Sequence, residues 1–340
     1  MASPISQFFS GKAIHVILDW DGTLTRKDTI ETLVKIAISS KEAKDPTEAV
    51  QLRSDWEEIK RLYSVEYVKS LEEAQCQAYG EKGSILRERL LLSHMKGAEE
   101  RSVKRVSDSG IFEGLTMQDM AQGAAQAVQN GDVKMREGWV EFFELLKARF
   151  KGQYDEVDQV DLISVNWSRE FICKCFEALR SPMLGISLHT DAMDLIWDQP
   201  YGTTRRVILS NSVSKRDYRL HTSSDKLHYF QQLRRTSPLT MKPMPLIYIG
   251  DSSTDFECLL AADLGICIRD HLMNSTQQGL AETLDRVGIP CPHIFELEQL
   301  TEWNVAWARD FTEITEFFGA VIGLPATTTA GKKRGRMAEE

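Results

Sequence analysis

The sequence has no excess of positive charge. Its 340 residues carry 41 lysines and arginines against 50 aspartates and glutamates, which gives a formal net charge of −9. Proteins that bind nucleic acid over a broad surface use lysine and arginine to neutralise phosphates, and this charge balance argues against such binding. We therefore expect no nucleic-acid partner.

Long apolar runs are also missing. No uninterrupted apolar segment is long enough to span a bilayer, and residues 1–12 lack the features of a secretion signal. An apolar content of 42% with 27% charged residues is typical of a soluble globular protein of one large or two ordinary domains. We expect a cytoplasmic protein with no membrane partner. The basic segment 332–336 leaves a nuclear location as an alternative, although a solvated tail explains it more simply.

Cysteines are few, and they are not arranged as a disulfide framework or a structural zinc site. We expect reduced, mostly buried thiols at the six positions, which are Cys76, Cys173, Cys175, Cys258, Cys267 and Cys291.

Two carboxylates end the most apolar stretch near the start of the chain. Residues 14–18 are apolar apart from His15, and Asp19, Trp20, Asp21 and Gly22 follow. Such a run predicts a strand of a parallel sheet that is covered on both faces, and ligands bind beyond the carboxyl ends of such strands. If the strand continues to Asp21, both aspartates point to one side and Trp20 packs on the other.

A second apolar stretch also ends in acidic residues. Residues 246–249 form the run, and GDSSTD follows at residues 250–255. An isolated pair of aspartates can simply cap a turn. Two acidic strand ends together indicate one site for a hard cation, and carboxylate and carbonyl oxygens suit Mg²⁺.

The two stretches resemble the first and last motifs of the haloacid dehalogenase superfamily, in the sequences DWDGT at residues 19–23 and GDSSTD at residues 250–255. The family resemblance implies a hydroxyl at the end of a second strand and a lysine early in a later helix. Ser164 and Lys226 match these positions, although alone each has an ordinary interpretation as a turn serine or a solvated lysine. Within the superfamily, the chain looks most similar to the phosphoserine-phosphatase-like branch, and closest to thiamin-monophosphate-phosphatase-like domains.

The resemblance implies an α/β fold, a Rossmann-like parallel-sheet core with an inserted all-helical cap. We assign residues 1–27 and 134–320 to the core, 28–133 to the helical cap and 321–340 to a disordered tail. Helical periodicity predicts the cap helices at residues 30–38, 46–64, 65–78, 84–95, 98–106 and 117–129.

Strands and helices alternate in the second half of the chain, as a parallel sheet requires. Strands are predicted at residues 160–165, 186–189, 207–210, 245–249 and 265–268, and helices at 168–180, 226–235 and 255–262. Residues 297–318 carry apolar positions at helical spacing, which we expect to pack on the core.

By this resemblance, the catalytic residues are Asp19 and Asp21. A free aspartate has a pKa of about 3.9, so we expect Asp19 to be ionised and to attack phosphorus, giving an aspartyl-phosphate. Asp21 would protonate the leaving alkoxide and then activate water. Mg²⁺ would be held by the side chains of Asp19 and Asp251 and the backbone carbonyl of Asp21, with Asp255 orienting these ligands.

Four residues are candidates for binding the substrate phosphate: Ser164 and Lys226, and less strongly Asn166 and Thr23. The predicted activity is Mg²⁺-dependent hydrolysis of a small-molecule phosphate monoester. Two alternatives stay open, a lyase or cyclase that ionises a diphosphate on the same metal site, and a catalytically silent binding protein. The sequence does not decide among thiamin monophosphate, a phosphorylated amino acid, a nucleotide and a prenyl diphosphate, and the oligomeric state is open.

Overall fold

The chain was examined as a computed structural model. The residues described are 4–9, 12, 14–77, 83–150, 159–179, 188–192, 220–236, 244–297 and 303–322. Three predictions lie outside these residues: the strand at 207–210, the basic segment 332–336 and the part of the disordered tail beyond residue 322. Residues 321 and 322, which the sequence analysis assigns to that tail, end a helix instead.

Six parallel strands form the sheet of the described chain, in the order β3-β2-β1-β4-β5-β6. Their bounds are β1 His15–Leu18, β2 Gln159–Ser164, β3 Leu188–Ala192, β4 Leu246–Gly250, β5 Leu264–Ile268 and β6 Val305–Ala308. β1, β4 and β5 are buried along their whole length. Because β1 lies between β2 and β4, the carboxyl ends of these three strands meet at one edge, and the predicted parallel sheet is confirmed.

Five helices follow β1 and precede the segment at Met135 that pairs with Thr25 and returns the chain to the core: α2 Ile30–Glu42, α3 Pro46–Gln77, α4 Ile85–His94, α5 Lys96–Asp108 and α6 Met117–Asn130. We call these five helices the helical insertion. The predicted fold class, a parallel-sheet core with an inserted helical unit, is confirmed.

The remaining helices belong to the part of the chain that carries the sheet. They are α1 Pro4–Phe9, α7 Trp139–Phe150, α8 Arg169–Ala178, α9 Ser223–Thr236, α10 Phe256–Ala261, α11 Ser275–Arg286 and α12 Phe311–Ile322. No helix in the described part of the chain combines the length and the apolar character needed to cross a lipid bilayer.

The predicted break between residues 64 and 65 is wrong, because α3 is continuous over 32 residues. Neither Gly nor Pro interrupts it there, and the Ser64 hydroxyl donates a hydrogen bond to the Lys60 carbonyl 3.0 Å away, within the helix. The sequence analysis also did not predict α11. This helix begins after Asn274, and the Asn274 side chain caps it by accepting a hydrogen bond from the Gln277 backbone amide.

The helical spacing proposed for residues 297–318 is also corrected. The segment contains β6, which pairs with β5, and α12 begins only at Phe311. A short buried strand and a helix can carry the same apolar residues, and a strand partner decides between them. Val305, Phe311 and Phe318 are buried in the core all the same.

Candidate active site

The loop after β1 carries the two aspartates. The Asp19 amide donates to the Ile249 carbonyl of β4 at 3.0 Å, and a wide turn then spans Trp20–Leu24, closed by a 3.0 Å hydrogen bond from the Thr25 amide to the Trp20 carbonyl. Because the strand ends at Leu18, simple alternation does not place Asp21. Trp20 packs as expected, with its ring centroid 5.1 Å from that of Phe176.

Gly22 brings this loop against the second acidic loop. Its φ of +71° lies in the left-handed region, and a Cβ there would sit 2.2 Å from Oδ2 of Asp251. Any side chain at this position would displace the Asp251 carboxylate, so the close approach of the two loops depends on glycine.

Three carboxylates converge where the loops meet. Asp19, Asp251 and Asp255 each offer an oxygen within 4.8 Å of the others, and all three residues are buried. The fully buried Nζ of Lys226 lies 2.8 Å from Oδ2 of Asp19 and 2.7 Å from Oδ1 of Asp255. We call these four residues the acidic cluster. One ammonium against three ionised carboxylates leaves a formal charge of −2.

Asp255 is the most hydrogen-bonded member of the cluster. Its Oδ1 accepts from Lys226 and from the Tyr248 hydroxyl at 2.6 Å, and its Oδ2 accepts from the amides of Asp251 and Ser252 at 3.1 and 3.0 Å. With both oxygens engaged by protein donors, Asp255 is arranged to hold Lys226 and the Asp251 backbone in place.

The hydrogen bonds to the Asp251 carboxylate are fewer and on average longer than those to Asp255. The Thr23 hydroxyl donates to its Oδ1 at 3.1 Å and the Thr276 hydroxyl to its Oδ2 at 3.4 Å. Burial, together with the charges of Asp255 and Asp19, raises the pKa of Asp251 well above its usual range. Thr23, a candidate for phosphate binding, therefore lies against a carboxylate, and its hydroxyl proton is directed to Asp251.

Asp21 is held by neutral donors. Its Oδ1 accepts from the amide and hydroxyl of Thr29, both at 2.7 Å, and its Oδ2 accepts from the Asn166 side-chain amide at 2.9 Å. Burial, and next the charge of Asp28, raise the pKa of Asp21 to about 8. Asp19 pairs with the ammonium of Lys226, whereas no lysine or arginine in the described part of the chain pairs with Asp21.

The expectation of an ordinary pKa for Asp19 is wrong in the absence of a metal ion. Burial raises its pKa to about 7, and the neighbouring Lys226 opposes this increase only in part. Sequence alone gave the free-residue value because it does not show how completely the carboxylate is removed from water.

Ser164 and Asn166 lie at the end of β2, on the same edge of the sheet. Both are buried, and the Ser164 Oγ accepts a 3.1 Å hydrogen bond from the Asn166 amide. The Asn166 side chain donates to Asp21 and to the Thr29 hydroxyl. The fold thus brings Asn166 to Asp21, while its predicted contact with phosphate stays a prediction.

Comparison with known proteins gives distant relatives. No protein-family model matches the chain. A CTO1 family protein of Schizosaccharomyces pombe is 28% identical over 255 residues, which cover 75% of this chain and 81% of that protein. The mitochondrial bifunctional TH2 protein of Arabidopsis thaliana is 21% identical over 277 residues, covering 78% of this chain and 41% of that protein, so the chain spans less than half of that relative's length.

Among solved structures, a substrate-bound phosphoserine phosphatase aligns with 91% of this chain and 99% of its own length, at 15% identity and a TM-score of 0.45. In the chain itself, the first strand lies in the middle of a parallel sheet, an all-helical unit follows it, and the acidic loops of β1 and β4 meet at Lys226. These features are the ones that the sequence resemblance to the haloacid dehalogenase superfamily implies: a parallel-sheet core, an inserted helical unit and two acidic loops that meet at a lysine.

The sequence analysis missed three residues that hold the site together. Thr29 holds Asp21, Tyr248 holds Asp255, and Arg136 contacts the loop after Asp21. Tyr248 had a visible signal, since it is the hydroxyl-bearing residue of a buried aliphatic strand. Arg136 had one too, as a cation where the chain returns from the helical insertion, whereas Thr29 had none.

A cleft of about 600 Å³ lies between the helical insertion and the core. It reaches the acidic loop at Ser253, and its walls come from α3, α4 and α11. Apolar residues, among them Leu71, Leu91 and Met95, line it together with the ion pair of Glu88 and Arg286. The cleft thus offers apolar and charged surface beside the acidic cluster.

The residues present fit a divalent magnesium ion. The cluster supplies hard carboxylate oxygens within reach of one another, and its formal charge of −2 matches one such cation. The raised pKa of Asp251 has the same origin, because crowded buried carboxylates lack enough positive charge nearby. Asp19 and Asp251 have fewer protein donors than Asp255 and are the better placed ligands.

Proposed function

We propose that this protein is a Mg²⁺-dependent phosphatase that hydrolyses a small-molecule phosphate monoester through an aspartyl-phosphate on Asp19. The observation that carries the proposal is the acidic cluster, in which Asp19 and Asp251 share a formal charge of −2 with Asp255 and Lys226. A binding protein without chemistry would gain nothing from burying this unbalanced charge, which costs stability.

Phosphate monoesters resist attack because their anionic oxygens repel a nucleophile. Catalysis therefore depends on neutralising charge and on placing the nucleophile in line with the leaving group. Mg²⁺ held by Asp19, Asp251 and the backbone carbonyl of Asp21 would supply positive charge to the phosphoryl oxygens. Lys226 partly opposes the increase in the pKa of Asp19 that burial causes, and it adds a positive charge at the attacking carboxylate.

Asp19 and Asp21 divide the covalent step and the proton step between them. An oxygen of Asp19 forms a bond to phosphorus as the ester P–O bond breaks, and the leaving oxygen takes the departing electron pair. With a pKa of about 8, Asp21 is protonated near neutral pH and can donate its proton to that oxygen. Asp21, now ionised, accepts a proton from the water that hydrolyses the aspartyl-phosphate, which restores both residues.

The leaving group would occupy the cleft beside Ser253. Because the cleft is bounded by the helical insertion on one side and by α11 on the other, movement of the insertion would admit the substrate and then exclude bulk water. The charged pair Glu88 and Arg286 on its wall favours a leaving group with polar atoms over a pure hydrocarbon.

The test is a phosphate-release assay on the whole protein with a panel that includes thiamin monophosphate, phosphorylated amino acids, nucleotides and a prenyl diphosphate. We expect inorganic phosphate from at least one monoester with Mg²⁺ and none with a chelator. Release of cyclised or eliminated hydrocarbon from the prenyl diphosphate would support the lyase instead. Binding of panel members without any turnover would support the silent binding protein.

A further inference from the structure

We propose that Arg136 is a positioning residue for Asp21, an inference that rests on the proposed phosphatase function. Arg136 is 2% exposed and lies where the chain returns from the helical insertion. Its guanidinium donates to the carbonyl of Gly22 at 2.6 Å and to the carbonyl of Thr23 at 3.0 Å. It also forms an ion pair with Asp270 at 2.6 Å.

The two segments that connect the insertion to the core, residues 24–26 and 134–136, are hydrogen-bonded to each other as a short antiparallel ribbon, and Arg136 is part of it. Thr25 and Met135 pair as antiparallel neighbours. The Arg136 amide donates to the Leu24 carbonyl, and the Arg26 amide donates to the Lys134 carbonyl, both at 2.8 Å. Arg136 therefore attaches the loop after Asp21 to the returning segment through both its backbone and its side chain.

The planar guanidinium is suited to this task because it presents several donors in a fixed arrangement. Its Nε and Nη2 reach two successive carbonyls of the loop, while Asp270, two residues after the end of β5, balances its charge. A lysine has a single ammonium and cannot reproduce that geometry. Gly22, with its φ of +71°, lies inside the segment that is held in this way.

Asp19 and Asp21 depend on Arg136 to different degrees. Asp19 is fixed from the sheet, since its amide donates to Ile249 and its carboxylate pairs with Lys226. Asp21 precedes Gly22 directly, so release of the Gly22 carbonyl frees the backbone on its carboxyl side. Loss of Arg136 should therefore displace Asp21, both its proton-donating side chain and the backbone carbonyl assigned to Mg²⁺, and leave the nucleophile in place. The weaker hold on Mg²⁺ affects every ester, whereas the displaced proton donor affects poor leaving groups most.

This difference makes the role of Arg136 measurable through the leaving group. A good leaving group departs without a proton, whereas a poor one needs the general acid. We expect Arg136→Lys to lower kcat/KM for phenyl phosphate by roughly 100-fold, within the range that general acid catalysis contributes, and to lower it for 4-nitrophenyl phosphate by roughly 10-fold at most.

Arg26→Lys is the matched control. Arg26 lies on the same ribbon and pairs with Glu137, but no contact described for its side chain reaches the loop. We expect this variant to keep the wild-type ratio of the two kcat/KM values. Asp270→Asn, which keeps the arginine and removes its counter-charge, should shift the ratio in the same direction by less, and it carries the test if Arg136→Lys does not fold.

Hydrogen exchange gives a second measurement that does not depend on turnover. Arg136→Lys should speed amide exchange in residues 20–25 and leave β1 unchanged, because the sheet continues to hold Asp19. Equal losses for both esters, or unchanged exchange in residues 20–25 of a folded variant, would contradict the role given to Arg136. A wild-type protein that hydrolyses no ester would instead contradict the proposed function, whatever the exchange shows.

Discussion

The Nζ of Lys226 lies 2.8 Å from Oδ2 of Asp19, and neither group is exposed to solvent. Burial disfavours the ammonium, but the carboxylates of Asp19 and Asp255 more than offset this and raise the pKa of Lys226 above its usual range. The ion pair thus opposes the protonation of a buried carboxylate that must be ionised to attack phosphorus. It also makes Asp19 and Lys226 energetically dependent on each other.

Asp19→Asn should abolish phosphate release and leave the protein folded. The amide keeps the shape of the side chain but is not a nucleophile, so the covalent step cannot occur. Turnover is measured with the best substrate of the panel, and folding by far-UV circular dichroism. The exposed Asp132 provides the control, since Asp132→Asn should keep full activity. Activity near the wild-type value in Asp19→Asn would refute the assignment of the nucleophile.

Lys226→Met should destabilise the metal-free protein by about 3–5 kcal/mol, because breaking a buried ion pair leaves uncompensated charge. The loss should be smaller at low pH, where protonation relieves the repulsion among the three carboxylates. Urea unfolding in a chelator measures it. Lys104→Met, which removes an exposed pair with Asp108, should cost less than about 1 kcal/mol. Equal costs for the two variants would show that the cluster is not electrostatically coupled.

The stability of the metal-free protein should fall as pH rises. Asp19 and Asp21 have folded pKa values of about 7 and about 8, against 3.8 for the free residue. The folded state therefore binds more protons than the unfolded state, so this contribution is complete below the unfolded pKa and is lost as pH rises through the folded values. Mg²⁺ should stabilise the protein more at pH 8 than at pH 5, because it competes with these protons.

Thermal unfolding in chelator and in Mg²⁺ across this pH range measures both effects. Asp21→Asn provides the matched variant, since it removes one of the groups with a raised pKa and should flatten the decline on the alkaline side. Stability that stays constant or rises between pH 5 and pH 8 in chelator would contradict the raised pKa values.

The sequence predicted what depends on local pattern. Apolar runs located β1 and β4, and the acidic residues that end them located Asp19 and Asp251, because the carboxyl ends of neighbouring parallel strands meet at one edge. The prediction that Lys226 lies at the same site as these aspartates came from the family resemblance. Periodicity alone would not have brought it to Asp19, which is 207 positions away in the sequence.

What the sequence did not predict depends on contacts between distant segments. The strand character of β6 comes from pairing with β5. The raised pKa of Asp19 comes from burial by the whole fold. The hydrogen bonds of Thr23 and Asn166 to aspartates follow from loop geometry, and the binding of Arg136 to the Gly22 carbonyl joins segments 114 positions apart.

In the described part of the chain, three ion pairs join the helical insertion to the core, and one of them lies on the wall of the cleft. Glu88 of α4 accepts from Nε and Nη2 of Arg286 at 2.7 and 2.9 Å. Two further pairs, Arg89 with Glu257 at 3.3 Å and Lys96 with Asp225 at 2.9 Å, link α4 and α5 to α10 and α9. The pair of Glu88 and Arg286 is bidentate and partly shielded from solvent, because Glu88 is buried while Arg286 is half-exposed.

Glu88→Gln should weaken the contact that holds the helical insertion against the core. Removing the negative charge weakens the hold of α4 on α11, so the open form gains population, the apparent KM rises several-fold and amide exchange in α4 becomes faster. Added salt should raise the KM of the wild type more than that of the variant, because the variant has already lost the strongest pair that salt can weaken. The control is Glu58→Gln, which removes an exposed pair with Arg61 within α3 and should change neither KM nor exchange in α4. If Glu88→Gln leaves both quantities at wild-type values, the ion pair does not set the closure, and apolar contacts in the cleft hold the insertion against the core.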